Sequence, residues 1–155
     1  MPVEFERKYL VASSEWAEEA QSKQKIGQGY ISVTDISTVR VRLADGVGTL
    51  TIKGAQVGIG RAEYEYEIPL AEAQEILESL TVGAVIKTRY TLNRTPGTWT
   101  VDVFEGKNEG LILLEVERSE SFELEERPEW LGVEVTNDSR YKNAALSTYP
   151  ISTWE

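Results

Sequence analysis

Val3-Glu4-Phe5-Glu6-Arg7-Lys8-Tyr9-Leu10-Val11 is the stretch on which the fold turns. Read as a strand, its side chains alternate between two faces. Glu4, Glu6 and Lys8 then share one face, and Val3, Phe5, Tyr9 and Val11 share the other. Arg7 falls by parity on the side away from the two carboxylates. A face carrying two acids beside an ammonium group belongs in a small protein only if anionic and cationic partners meet it. The remaining strands can be searched for such partners.

The same pattern recurs along the chain. Thr38–Leu43 alternates strictly, with Val39, Val41 and Leu43 opposite Arg40 and Arg42. Asp45-Gly46 marks a turn, and Thr49–Lys53 places Lys53 with Thr49 and Thr51. Residues 54–60 read as a glycine-rich loop without the Gly-Lys-Ser/Thr ending of a P-loop. Arg61–Ile68 groups Arg61, Glu63, Glu65 and Glu67. Val85–Tyr90 carries Lys87 and Arg89 on one side, Trp99–Phe104 carries Asp102, and Leu111–Glu117 sets Glu115 and Glu117 opposite Leu114 and Val116. Gln28–Val33 reads as a short strand, and Val133–Thr136 as a last one. Helices are expected from Ser13 to about Lys25, over 69–80 from the spacing of Leu70, Ala73, Leu77 and Leu80, and from Asp138 or Ser139 through Ser147. Pro128–Gly132 reads as a helical turn. Tyr64, Tyr66, Tyr90 and the four tryptophans are expected to pack on apolar surfaces, with Tyr30 ambiguous.

Many alternating strands and few helices predict a mainly β (α+β) fold, a closed antiparallel sheet in one domain spanning 1–155. Two arrangements fit the charged faces. They can point to water, or they can line a wide polar lumen while helices cover the apolar outside. Taken singly, an Arg-x-Arg or Glu-x-Glu pair is an ordinary solvated face. The pattern over about seven strands, with acids and bases segregated, favours a site.

The chain has 155 residues and a net charge of -10, with no cysteine and no histidine. Disulfides, Cys/His zinc sites, thiol nucleophiles and histidine bases are therefore excluded. Any metal must be held by oxygen, which suits Mg²⁺, Mn²⁺ or Ca²⁺. The acidic balance argues against nucleic acid as partner. No leader-like N-terminus and no apolar run near the ~20 residues needed to cross a bilayer is visible, so a cytoplasmic protein is expected. Arg and Lys clusters suit phosphate oxygens, and clustered carboxylates suit hard divalent cations. Together they describe a site for a metal-bound polyphosphate.

The residues resemble those of the CYTH domain, or triphosphate tunnel metalloenzyme, family. The resemblance starts at Glu4-x-Glu6-x-Lys8. It runs in order through Gln28-Gly29-Tyr30, Arg40-Val41-Arg42, Thr51-Ile52-Lys53-Gly54, Arg61-x-Glu63-x-Glu65, Lys87-Thr88-Arg89, Asp102 and Leu114-Glu115-Val116-Glu117. It ends at Trp130-Leu131-Gly132-x-Glu134-Val135-Thr136 and Arg140-Tyr141-x-Asn143. It implies a tunnel of roughly eight antiparallel strands that binds a linear triphosphate. Substrate would be held by Lys8, Arg40, Arg42, Lys53, Arg61, Lys87 and Arg89. Two ions, Mg²⁺ or Mn²⁺, would be held from among Glu4, Glu6, Glu63, Glu65, Asp102, Glu115 and Glu117. Lys8, with Tyr30 as partner, is expected to handle the proton of the leaving group. Hydrolysis of inorganic tripolyphosphate is the leading expectation. The family also contains thiamine triphosphatases and class IV adenylyl cyclases, and a nucleoside triphosphatase or a non-catalytic polyphosphate-binding module are further alternatives.

Overall fold

The computed structural model describes residues 2–154. Nine strands form one antiparallel sheet: β1 (Val3–Val11), β2 (Ala20–Val33), β3 (Ser37–Ala44), β4 (Val47–Gly54), β5 (Gly60–Ile68), β6 (Gly83–Leu92), β7 (Thr98–Phe104), β8 (Ile112–Arg118) and β9 (Leu131–Glu134). The order β5-β4-β3-β2-β6-β7-β8-β1 is closed by pairing of β5 with β1, giving the eight-stranded barrel, and β9 adds to β1. Two α-helices accompany it, α1 (Leu70–Ser79) and α2 (Asn143–Thr148). Among the described residues no helix is long and apolar enough to cross a membrane.

Strand β1 organises the closure. One edge pairs with β8 from Phe5 to Leu10. The other edge is divided: Val3–Phe5 pair with β5, and Tyr9 and Val11 pair with β9. Closure brings Phe5 against β5 so tightly that a Cβ on Gly60 would lie 2.5 Å from the Phe5 ring. A side chain at position 60 would hold the two strands apart.

The barrel wall sorts residues by parity, which settles where the charges face. Tyr9, Trp99, Val101, Leu114 and Val116 point outward. They form a buried layer with Trp16, Leu92, Phe122 and Trp130. Segment 119–130 covers this layer. Arg7 also points outward, with Nη1 2.9 Å from Glu134 Oε2. Helix α1 covers β2–β4 through Ala73 and Leu77, while Leu70 and Leu80 at its ends remain exposed. Val41 lies fully buried beneath it. The charged faces therefore line the lumen. At one end of the lumen Val85, Phe104, Leu111 and Leu113 form an apolar plug with Val135 and Leu146 of α2.

Several expected boundaries move. Only Glu15–Glu19 turn, as a 3-10 helix, where a longer helix to Lys25 is expected. From Ala20 the chain is already strand β2, paired with β6 from Ala20 to Tyr30. The apolar spacing of Trp16 and Ala20 mimics a helix, and cross-strand pairing overrides that local preference. The last strand is Leu131–Glu134 rather than 133–136, because Pro128–Trp130 make only a turn. Asp138 does cap the following 3-10 turn, accepting from Arg140 N, but the α-helix starts only at Asn143. Tyr90 packs edge-on against Trp16, whereas Tyr64 and Tyr66 lie on an uncovered outer face of β5.

Gly48 sits under α1, where an added Cβ would lie 2.5 Å from the Ala73 Cβ. Gly48→Val is expected to destabilise the protein by about 1–3 kcal/mol through overpacking. Urea unfolding reads this directly; a change below about 0.5 kcal/mol would contradict the packing of α1 on the barrel.

Candidate active site

The lumen is a cavity of about 710 Å³, within the ~300–1,000 Å³ range of small-molecule sites. Its rim is formed by the β2–β3 turn (Thr34, Asp35), the β4–β5 loop (Gly54, Ala55, Gln56) and the segment from Ser139 to Tyr149. Each of the expected residues except Asp102 lines it.

Three clusters of charge divide the wall. On β6 and β7, Asp102 is 2% exposed. It accepts from Arg89 at 2.8 and 2.9 Å and from Lys87 Nζ at 2.7 Å. Burial opposes ionisation of Asp102, but Arg89 and Lys87 outweigh it and hold the carboxyl down at about 2. The same exchange raises Arg89 above its ordinary value against the effect of burial. Lys87, 1% exposed, is lowered by burial to about 7. On β3 and β4, Arg40 Nη2 donates to Thr51 Oγ1 at 3.2 Å, and its Nε is buried without a partner. Arg42 Nε donates to Gln28 Oε1 at 2.9 Å. Burial, then Arg40 and Arg89, lower Arg42 to about 10. Lys53 Nζ lies 2.6 Å from Glu4 and 3.5 Å from Glu63. Burial and Arg40 oppose its charge, but Glu6, Glu4 and Glu63 raise its pKa overall.

The third cluster is acidic. Strand register sets Glu6 opposite Glu117 and Lys8 opposite Glu115. Carboxylate oxygens of Glu4, Glu63 and Glu117 lie within 4.8 Å of one another, and so do those of Glu6, Glu115 and Glu117. Like charges at such spacing cannot all ionise. Burial and the Glu115 charge push Glu6 up to about 8. Burial also acts against Glu115, but the hydrogen bond from Glu6 and the charge of Arg89 take it well below the usual range. Glu63 is raised to about 7 by burial and its hydrogen bond with Glu4. Burial opposes ionisation of Glu4, yet Glu63 and Lys53 lower it. Glu117, open to lumen water but enclosed by the wall, is raised to about 8 by burial and by Glu4 and Glu115.

These five carboxylates are oxygen donors that suit a hard divalent cation. Glu63 Oε2 is buried with no hydrogen-bond partner and only the Lys53 ammonium 3.5 Å away, which leaves its lone pairs open to a cation. The structure does not bring Asp102 or Glu65 into either group. Both oxygens of Asp102 are taken by Lys87 and Arg89. Glu65 faces Thr51 at 3.3 Å and Arg40 at 3.9 Å. Tyr30 and Lys8 line the same cavity, but the Tyr30 hydroxyl accepts from Gln28 Nε2 at 2.9 Å, and Lys8 makes no ion pair within 4 Å among the described residues. Arg61 Nε donates to Gly54 O at 3.2 Å.

Four lumen residues were not anticipated as site residues. Gln28 and Thr51 share parity with Tyr30 and Lys53, so alternation contained that signal. Asn143 accepts from Lys87 Nζ at 2.8 Å and from Gln28 at 3.3 Å, and Lys142 lines the cavity beside it. Asn143 stands in the Arg140-Tyr141-x-Asn143 run, but nothing local to the sequence gives it or Lys142 a place in the lumen, because the C-terminal segment must first return to the barrel mouth.

The profile of the CYTH domain matches residues 2–146. The chain belongs to the CYTH domain family. An inorganic triphosphatase of Acetivibrio thermocellus is 43% identical over 97% of this chain and 96% of that one. An inorganic triphosphatase of Nitrosomonas europaea is 34% identical over 93% and 96%. A crystal structure of an inorganic triphosphatase superposes with a TM-score of 0.66 at 32% identity, covering 94% of each chain. A putative adenylate cyclase of Bacillus halodurans, at 18% identity and a TM-score of 0.62 over 77% of this chain and 83% of that one, shows the CYTH fold alone.

The raised carboxyls make a pH prediction. Glu6, Glu63 and Glu117 keep protons in the folded CYTH lumen that they lose when unfolded. Between about pH 5 and 7 the folded state therefore binds more protons, and stability falls as pH rises. The lowered groups Glu4, Glu115 and Asp102 act below this window, and Lys87 above it. Urea unfolding in EDTA across pH 5–7 should show the decline, with a shallower slope in Glu117→Gln. Stability rising with pH in this window would contradict the shared-proton arrangement.

Proposed function

We propose that this CYTH domain acts as a single tunnel domain that hydrolyses inorganic tripolyphosphate to pyrophosphate and phosphate. The observation carrying the reading is one closed lumen in which a basic wall faces two overlapping carboxylate groups. The inorganic triphosphatases it resembles over nearly full length support the same substrate.

Glu4, Glu63 and Glu117 would hold one Mg²⁺ or Mn²⁺, and Glu6, Glu115 and Glu117 a second. When bound, such ions supply positive charge against phosphate oxygens and acidify water. The chain's own residues do the rest. Arg40 and Arg42 present guanidinium donors to non-bridging oxygens and stabilise the charge that develops there. Arg40 Nε already lacks a partner in the wall. Lys87 and Arg89 add positive charge from a position fixed by Asp102, which acts as a positioning anion rather than a metal ligand. Lys53, paired with Glu4 at 2.6 Å, would be freed to face phosphate oxygens where that carboxylate held a cation. Lys8 stands opposite Glu115 with no carboxylate within 4 Å, placed to give a proton to the leaving oxygen, and Tyr30 lies in the same cavity. The apolar cluster of Phe104, Leu113 and Leu146 packs beside the basic wall, with Lys87 Nζ 5.5 Å from the Phe104 ring.

One observation favours a second reading, an organic triphosphate. Tyr149 is half exposed at the rim and stacks on Trp154 at 6.3 Å, a surface on which a base could lie.

Phosphate release from tripolyphosphate, ATP and thiamine triphosphate, each with Mg²⁺, Mn²⁺ or EDTA, separates these readings. Tripolyphosphate is expected to turn over fastest, and only with metal. Glu6→Gln should lower kcat by about two orders of magnitude or more. Arg42→Ala should lower kcat/KM at least ~10-fold. A cyclic product from ATP would assign a cyclase, and no metal-dependent turnover of any substrate would remove the enzymatic reading.

A further inference from the structure

Most cations of the lumen already have an anion. Lys53, Arg40, Lys87 and Arg89 each lie within 4 Å of a carboxylate. Arg42 is bonded to the Gln28 carbonyl oxygen. Lys8, Arg61 and Lys142 line the same cavity, and among the described residues none of them makes an ion pair. These three cations are thus without a carboxylate within 4 Å, on the side of the cavity where β5 and the C-terminal segment meet β1.

Lys142 reaches this place through the fold. It sits in extended backbone between the 3-10 turn Ser139–Tyr141 and helix α2. Its chain neighbours are fixed to the barrel on both sides. Upstream, Val135 N donates to Lys8 O at 2.8 Å, and Lys8 N donates to Thr136 Oγ1 at 3.0 Å. Downstream, Asn143 Oδ1 accepts from Lys87 Nζ at 2.8 Å. The half-buried Lys142 side chain has no hydrogen-bond acceptor among the described residues. Burial lowers its pKa, and repulsion from Arg61 and Lys8 lowers it further. Glu6 is the one carboxylate whose charge acts against this lowering. Holding like charges together in this way costs folding free energy, and an anion bound between them would offset that cost.

A linear triphosphate offers two kinds of anion. An internal phosphoryl group carries one negative charge, whereas a terminal unesterified one carries up to two and has three free oxygens. Three uncompensated cations match the terminal group. We propose that Lys142 is a substrate-binding residue which, with Arg61 and Lys8, holds a terminal phosphoryl group in the tunnel. This rests on the tunnel binding a linear triphosphate, as proposed above, and adds a requirement for a free chain end. The C-terminal segment, carrying Lys142 and Asn143, is then part of the substrate site as well as its rim.

The test compares linear tripolyphosphate with cyclic trimetaphosphate, which has three phosphoryl groups but no terminal one. Binding to the wild type, Lys142→Met and Lys142→Arg is measured by calorimetry in EDTA, so that no turnover occurs. Lys142→Met should weaken tripolyphosphate about 10-fold, the scale of one charge-assisted contact, and trimetaphosphate less than about 2-fold. Lys142→Arg should regain most of the lost tripolyphosphate affinity. Unchanged tripolyphosphate affinity in Lys142→Met would overturn the inference. An equal loss for both ligands would also overturn it, since that is the mark of a displaced α2. Wild-type binding without metal-dependent hydrolysis would remove the proposed reaction while leaving Lys142 its role. Hydrolysis by the wild type with unaltered affinity in Lys142→Met would remove only the role of Lys142.

Discussion

Enclosing ionised side chains inside a barrel is the constraint on which the rest of this structure depends. A buried charge is tolerable only beside an opposite one. Asp102 meets that condition for the basic wall. One carboxylate, with both oxygens occupied, lets Lys87 and Arg89 stand together on β6. Replacing it with a neutral residue would leave Lys87 without a carboxylate within 4 Å and Arg89 with Glu115 alone. The acidic wall has fewer cations than carboxylates, with Lys53 beside Glu4 and Glu63 and Arg89 3.5 Å from Glu115, so its members also share protons. Glu6 with Glu115 and Glu4 with Glu63 behave as pairs in which one partner gives up its charge. The two walls thus solve the same problem differently: the acidic one is left with an unmet demand for positive charge, and Arg40 Nε on the basic one is left without an acceptor.

That asymmetry links the fold to its chemistry. A packed barrel core would be apolar and dry. Here the apolar layer lies outside the barrel, under α1 and the 119–130 segment, and the inside is left open for ions. The outer layer carries the folding free energy, while the inner face carries groups that oppose one another. The arrangement is stable enough to fold because Tyr9, Trp99, Leu114, Val116 and Trp130 bury their surface away from the lumen. Bound cations and an anionic chain would relieve the repulsion on both walls at once.

Much of this was legible in the sequence because parity is strict in a barrel. Alternation places Glu4, Glu6 and Lys8 inside and Arg7 outside, and it does the same for β3, β5, β6 and β8. Parity says which face a residue takes but not what it touches there. That is why Asp102 could be grouped with the metal-side acids from sequence, although in space it belongs to Lys87 and Arg89. The N-terminal half of β2 was not legible. Ala20–Lys25 is polar and lacks an alternating apolar face, and it becomes strand only by pairing with β6. The place of Lys142 and Asn143 at the lumen escaped for a different reason: the hydrogen bond from Lys87 to Asn143 joins residues more than 50 positions apart and depends on how the chain end returns.

The central claim is that the lumen is a prebuilt anion site whose charges are held apart from their natural ligand. Thermal unfolding in EDTA, with and without tripolyphosphate at about 100 times its dissociation constant, tests it most directly. The wild type should gain roughly 5–10 °C, and a variant carrying both Arg40→Ala and Arg42→Ala should gain far less. No shift in the wild type, or the same shift in both proteins, would contradict the account.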